Sequence, residues 1–206
     1  MRRREFLKGA AIIPAGVAAA YWAAADEARD HREKPARISA VLYDERYADC
    51  RAFADVIARH GAVAFPTPGD AVSVWYTALR LHLLRHGGSV AGMTTDSDLV
   101  SSRECGRELK LEIVYEGSHD GRASDRLVHR LHGNGVEREV YAALLRAEKP
   151  WAESVASGLS RSSLIGRLVG SVAAVATVST LESTGHPGYI TSWLLERDLG
   201  QCQPAV

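Results

Sequence analysis

The chain has 206 residues, 46% of them hydrophobic and 24% charged, with 25 basic side chains against 25 acidic ones. That balance is too apolar for a disordered chain, and three cysteines are too few for a small scaffold built on disulfides. A formal charge of zero with no basic stripe leaves no electrostatic footprint for nucleic acid, and the length suits one globular domain.

Residues 1–25 read as a segment apart. Arg2, Arg3, Arg4 and Lys8 precede an uncharged apolar stretch at 9–22, and Ala23-Ala24-Ala25 supplies the small-x-small pattern that a signal peptidase reads. The stretch falls short of the roughly 20 residues that span a bilayer as a helix. Cleavage is therefore expected, and membrane contact only through an uncleaved signal. Arg3-Arg4-Glu5-Phe6-Leu7-Lys8 resembles the twin-arginine (Tat) export motif R-R-x-F-L-K, with Arg2 where Ser or Thr is more usual. The resemblance covers this segment alone. It implies that the Tat translocase carries the folded chain to the periplasm, the route often taken with a cofactor or an exported partner protein already bound. Removing residues 1–25 takes four basic side chains and Glu5, leaving a formal charge of −3 on the mature chain. Residues 26–36 are charged and lack apolar periodicity, which predicts a solvated linker before a single domain at 37–206.

From residue 37 the pattern alternates between strand and helix. The apolar run 38–43 predicts a first strand, ending in Asp44-Glu45. Cys50, Phe53, Ala54 and Ile57 fall at i, i+3, i+4 and i+7, which predicts a helix stopping near Gly61. A second strand is predicted at 62–65 and a second helix at 71–86, closed by Gly87-Gly88. The third cycle is a strand at 89–93, a loop and cap at Thr94-Thr95-Asp96-Ser97-Asp98, and a helix to about Lys110. A fourth strand at 111–115 leads into Glu116-Gly117-Ser118-His119-Asp120, read as a loop. Four strands alternating with three helices predict an α/β three-layer sandwich with a mainly parallel sheet, starting β-α-β-α-β-α-β. Further on, 125–131 reads as a strand and 136–159 as a long helix interrupted at Pro150. The apolar segment 164–181 reads as buried strand or packed helix, and 189–195 as a last strand. A hairpin between 175–181 and that last strand would add antiparallel C-terminal strands.

In an open parallel sheet the ligand crevice lies beyond the carboxyl ends of the strands. The loops there carry Asp44, Glu45, Asp70, Thr94, Thr95, Asp96, Ser97, Asp98, Glu116, Ser118, His119 and Asp120. Converging carboxylates and hydroxyls suit a hard cation or a polar solute. Asp and Ser are also ordinary N-caps, and Ser97 or Asp98 before Leu99 needs no further reason to be there.

Several chemistries lack their motifs. No G-x-G-x-x-G follows the first strand, no P-loop is present, and His119 stands where G-x-S-x-G requires Ser. His82 and His86 share a helix face, but Leu83 replaces the Glu of H-E-x-x-H, so a structural pair near the helix end is expected. His129 and His132 are expected on opposite faces of a strand. Without C-x-x-C there is no dithiol, iron–sulfur or covalent haem signal, and no cofactor is expected. Cys50 and Cys105 read as core thiols, while Cys202 sits in the tail.

These residues support a soluble periplasmic protein that binds a small polar ligand or serves an exported partner. The alternative is a hydrolase acting on a polar substrate, metal-assisted or not, with Asp44, Asp96, Asp98 and His119 as acid, base or ligands. A third reading is a scaffold anchored on partners by Trp75, Trp151 or Trp193.

Overall fold

The computed structural model describes residues 37–122, 126–133, 135–146, 149–165, 174–181 and 188–197. The expected export signal and linker, Cys202 and most of the turn before the last strand lie outside them. The described residues form an α/β fold on one mixed sheet in the order β2-β1-β3-β7-β4-β5-β6.

The strand β1 (Ile38–Asp44) lies inside the sheet between β2 and β3, and its near-continuous apolar run is buried on both faces. Helix α1 (Ala48–Arg59) places Asp49 in its first turn and Arg59 in its last, complementing its dipole. It stops at Gly61, whose φ of +94° closes the helix, and a Cβ there would strike the Arg37 guanidinium. The edge strand β2 (Val63–Thr67) tolerates Pro66 because an edge needs fewer ladder donors.

The second helical stretch is continuous over the predicted range but changes pitch. It comprises α2 (Ala71–Val74), a π-helical turn (Trp75–Leu79) and α3 (Arg80–His86). Strand β3 (Ser89–Thr94) is buried throughout. Helix α4 (Asp96–Arg107) begins earlier than the sequence suggested: Thr95 is its N-cap, so Asp96, Ser97 and Asp98 form its first turn. After β4 (Leu111–Asp120) and β5 (Arg126–Gly133), α5 (Val136–Arg146) and α6 (Trp151–Ile165) are separated at Pro150 as expected. The strands β6 (Ala174–Leu181) and β7 (Tyr189–Arg197) complete the sheet.

Two expectations fail here. The sheet is not mainly parallel: β1 pairs in parallel with β2 and β3, whereas β3–β7, β7–β4, β4–β5 and β5–β6 are all antiparallel. Nor do β6 and β7 form a hairpin, because β7 inserts between β3 and β4 while β6 pairs with β5. Insertion pairs β7 along both edges, and its two faces enter the two apolar clusters, Ile190 and Leu194 in one and Trp193 and Leu195 in the other. Strand β4 still points the same way as β1, β2 and β3.

The core divides into two clusters. One gathers Val41, Phe53, Met93, Tyr115, Leu131, Val140, Trp151 and Leu194 beneath α1, α5 and α6. The other gathers Leu42, Trp75, Leu79, Val90, Leu99, Trp193 and Leu195 beneath α2, α3 and α4. All three tryptophans considered as partner anchors are therefore core residues, at most 4% exposed. Among the described residues no helix is long and apolar enough to cross a membrane.

Candidate functional site

The chain leaves β1 for α1, which packs in the first cluster, and leaves β3 for α4, which packs in the second. Adjacent parallel strands whose connections depart to opposite faces open a crevice beyond their carboxyl ends, the usual ligand position in such sheets. One lip carries Asp44, Glu45 and Arg46, and the other carries Thr94 to Asp98.

Asp44 is fully buried at the tip of β1. Its Oδ1 accepts from the Arg46 backbone N–H at 3.1 Å and from Arg46 Nε at 2.9 Å, and its Oδ2 accepts from Nη2 at 2.7 Å. This paired geometry holds the guanidinium charged, its pKa pushed above the ordinary arginine value by the Asp44 carboxylate. The guanidinium lies against Gly69, where a Cβ would come within 2.5 Å of Nη2. The loop after β2 is fixed in turn by Thr67 Oγ1, which accepts from the N–H groups of Gly69 and Asp70. Glu45 and Asp96 are exposed on the two lips.

The opposite lip is tied to α2. Asp70 accepts from Ser73 N–H at 3.0 Å, and Asp98 Oδ1 accepts from Ala71 N–H at 3.2 Å, so two carboxylates serve that first turn. Thr95 Oγ1 lies 3.1 Å from Ser97 Oγ and accepts a long bond from Asp98 N–H. Thr94 is committed to the sheet: its Oγ1 accepts from Trp193 Nε1, and its carbonyl accepts from Thr191. Asp98 is 5% exposed, and its Oδ2 has no hydrogen-bond partner among the described residues.

Four predicted rim residues lie elsewhere. Glu116, Ser118, His119 and Asp120 belong to β4, which continues five residues beyond its expected end because β7 and β5 pair with it on both sides. Glu116 accepts from Arg103 at 3.0 Å, Asp120 accepts from Arg122, and Ser118 faces Arg130 across the ladder. The bonds from Arg122 hold the Asp120 carboxyl well below the usual carboxylate range. His119 alternates to the other face and is buried among the first cluster, so the hydrolase quartet of Asp44, Asp96, Asp98 and His119 is not brought together. Among the described residues no group of three or more His, Cys, Asp or Glu is arranged to hold a metal ion.

His119 instead belongs to a polar chain that sequence reasoning missed. Its Nδ1 lies 2.7 Å from Nδ1 of His129, its cross-strand partner, and its Nε2 lies 2.8 Å from Ser192 Oγ. Ser192 Oγ is 3.0 Å from the Tyr115 hydroxyl, and the Trp151 ring covers both imidazoles at 4.7 and 5.4 Å. The connectivity mimics a hydroxyl–base–orienting group relay. Every member is fully buried inside the sheet, however, so the chain satisfies core polar groups and presents no nucleophile. Burial pushes the Tyr115 phenol well above its ordinary pKa. The pairing of His119 with His129 could have been read only from the β4–β5 register.

Of the remaining histidine pair, expected to be partly buried, His82 is half-buried and His86 is exposed. His82 Nε2 lies 3.1 Å from the Ser39 carbonyl oxygen, with the His86 ring 4.8 Å away. His129 is buried and His132 exposed, on opposite faces. Cys50 and Cys105 are unpaired thiols. Comparison with protein-family models, with curated proteins and with solved structures gives no match to this chain.

Proposed function

We propose that this is an exported periplasmic protein that binds a small polar ligand at the crevice between β1 and β3, on its own behalf or as accessory to an exported partner. The observation that carries the reading is the opposite departure of the two connections, with the buried carboxylates of Asp44 and Asp98 at the opening. Export through the Tat translocase rests on Arg3-Arg4-Glu5-Phe6-Leu7-Lys8 and the apolar stretch after it. The architecture we infer with it is a three-layer sandwich, supported by the two separate apolar clusters.

The test is intact mass, native against denatured, on the full chain expressed in a Tat-competent bacterium and recovered from the periplasm. A mature chain beginning at Asp26 is expected, with a native mass exceeding the denatured mass by that of a small molecule. Retention of the R3K/R4K double variant in the cytoplasm is the matching control. Cytoplasmic retention of the unaltered precursor overturns the export reading. A bare native mass, with no polar solute perturbing the crevice backbone amides, overturns the binding reading.

A further inference from the structure

Strands β4 and β5 set His119 and His129 opposite one another, both fully buried, with their Nδ1 atoms 2.7 Å apart. The rings meet edge to face, at 67° with centroids 4.9 Å apart, against the Trp151 ring at the start of α6. At that separation one hydrogen fits between the two nitrogens, so one ring donates and the other accepts.

A neutral pair carries two ring hydrogens, one on each imidazole. The donor holds its hydrogen at Nδ1, between the rings, and the acceptor holds its own at Nε2. A first added proton goes to the donor's bare Nε2 and leaves the contact as it was. The Ser192 hydroxyl 2.8 Å from His119 Nε2 suits either state, because it both donates and accepts. A second added proton has only the acceptor's Nδ1 left to occupy. There it would face the donor's N–H across 2.7 Å, with both rings charged and buried.

The surroundings do not lift this limit. The chain continues through Ser192 on β7 to the Tyr115 phenol on β4, which burial keeps neutral. From α6 the pair meets the uncharged Trp151 indole, and from β6 Val178 stands in register with His129. The same cluster takes the Cys50 thiol from α1, the Tyr43 and Tyr47 phenols from β1 and the loop after it, and the Tyr141 phenol from α5. Thiols and phenols carry no charge in acid. The carboxylate of Glu137 on α5 acts on Tyr115 and lies 3.7 Å from Arg138, while Glu139 and Arg161 pair with each other. A carboxylate favours the first proton but leaves the second facing an N–H.

We infer that the His119–His129 contact is an acid-sensitive fastening built into the fold, closed while the pair holds at most one added proton and opened when both imidazoles are charged. The unfolded chain protonates both rings as pH falls through about 6.5. The closed pair takes up at least one proton fewer, so its stabilisation is present above that pH and is lost below it.

The test is carried out on the full chain, with imidazole nitrogen resonances assigned through bonds from the backbone amides. At pH 8 one of the two rings should carry its hydrogen at Nδ1 and the other at Nε2. Hydrogens at Nε2 on both rings would overturn the inference, because two bare Nδ1 atoms have nothing to share. As pH is lowered, the native spectrum should show one added proton on the pair or none, the second being taken up only as the native resonances disappear. Two fully protonated rings in an intact native spectrum would also overturn it. Urea unfolding supplies a separate readout, in which His129→Gln lets its amide oxygen accept from His119 Nδ1–H. Below about pH 6 the unfolding constant of the wild type should rise, relative to that of the variant, about tenfold per pH unit. Parallel pH dependences would refute the fastening, and if the variant does not fold, the wild-type resonances decide alone.

Discussion

Gly92→Ala tests whether the central part of the sheet is packed as described. Gly92 on β3 pairs with Trp193 on β7, whose indole lies across the position a side chain would fill. A Cβ built on Gly92 would sit 2.1 Å from Trp193 Cε2 and Cζ2 and 2.6 Å from Cη2. Carbon atoms pack at about 3.5–4.0 Å, so more than an ångström must be relieved. The ring has little room to yield: Trp193 is fully buried, and its Nε1 donates to Thr94 Oγ1 at 3.1 Å. Overpacking costs about 1–3 kcal/mol, and displacing the ring adds about 1 kcal/mol for the bond to Thr94. A total of about 2–4 kcal/mol lowers Tm by roughly 4–16 °C in a domain of this size. Urea unfolding followed by circular dichroism should give a reduced midpoint at unchanged m-value. Adding Trp193→Leu should recover part of the loss, because the two changes share one contact. A loss under about 1 kcal/mol from Gly92→Ala alone would refute the β3–β7 pairing.

Three further outcomes follow from the same geometry. Ser192→Ala leaves the Tyr115 hydroxyl and His119 Nε2 each one partner short and should cost about 2–3 kcal/mol; a cost below about 1 kcal/mol would contradict the buried polar chain. Burial raises the thiol pKa of both Cys50 and Cys105, but Cys50 is fully buried and Cys105 only in part, so of these two iodoacetamide at pH 8 should label Cys105 and spare Cys50 in the native protein. Equal labelling by peptide mass spectrometry would refute that placement. The Asp120 carboxyl is depressed by its bonds from Arg122, so its stabilisation is present above the unfolded carboxylate pKa of about 4 and lost as pH falls toward the folded value. The stability gap between wild type and Asp120→Asn should therefore be open at pH 7 and narrow below about pH 4, and a gap independent of pH would count against the pair.

The first half of the fold was legible because local signals agreed with one another. Continuous apolar runs gave β1 and β3, the 3.6-residue spacing of Cys50, Phe53 and Ile57 gave α1, and Gly61 ended it where a positive φ was needed. The end of β4 was misread because Glu116-Gly117-Ser118-His119-Asp120 is composed of turn-forming residues, and only pairing with strands on both sides overrides that preference. The position of β7 is a matter of topology, not of neighbouring sequence. Its complete burial from Ile190 to Glu196 is what a strand covered on both faces requires. Of the predicted site residues, Asp44, Glu45, Thr95, Asp96 and Asp98 share the crevice, whereas the four on β4 do not. Arg46 was overlooked because a single arginine after a strand carries no motif, although its spacing of two from Asp44 lets one carboxylate take its backbone and its guanidinium together.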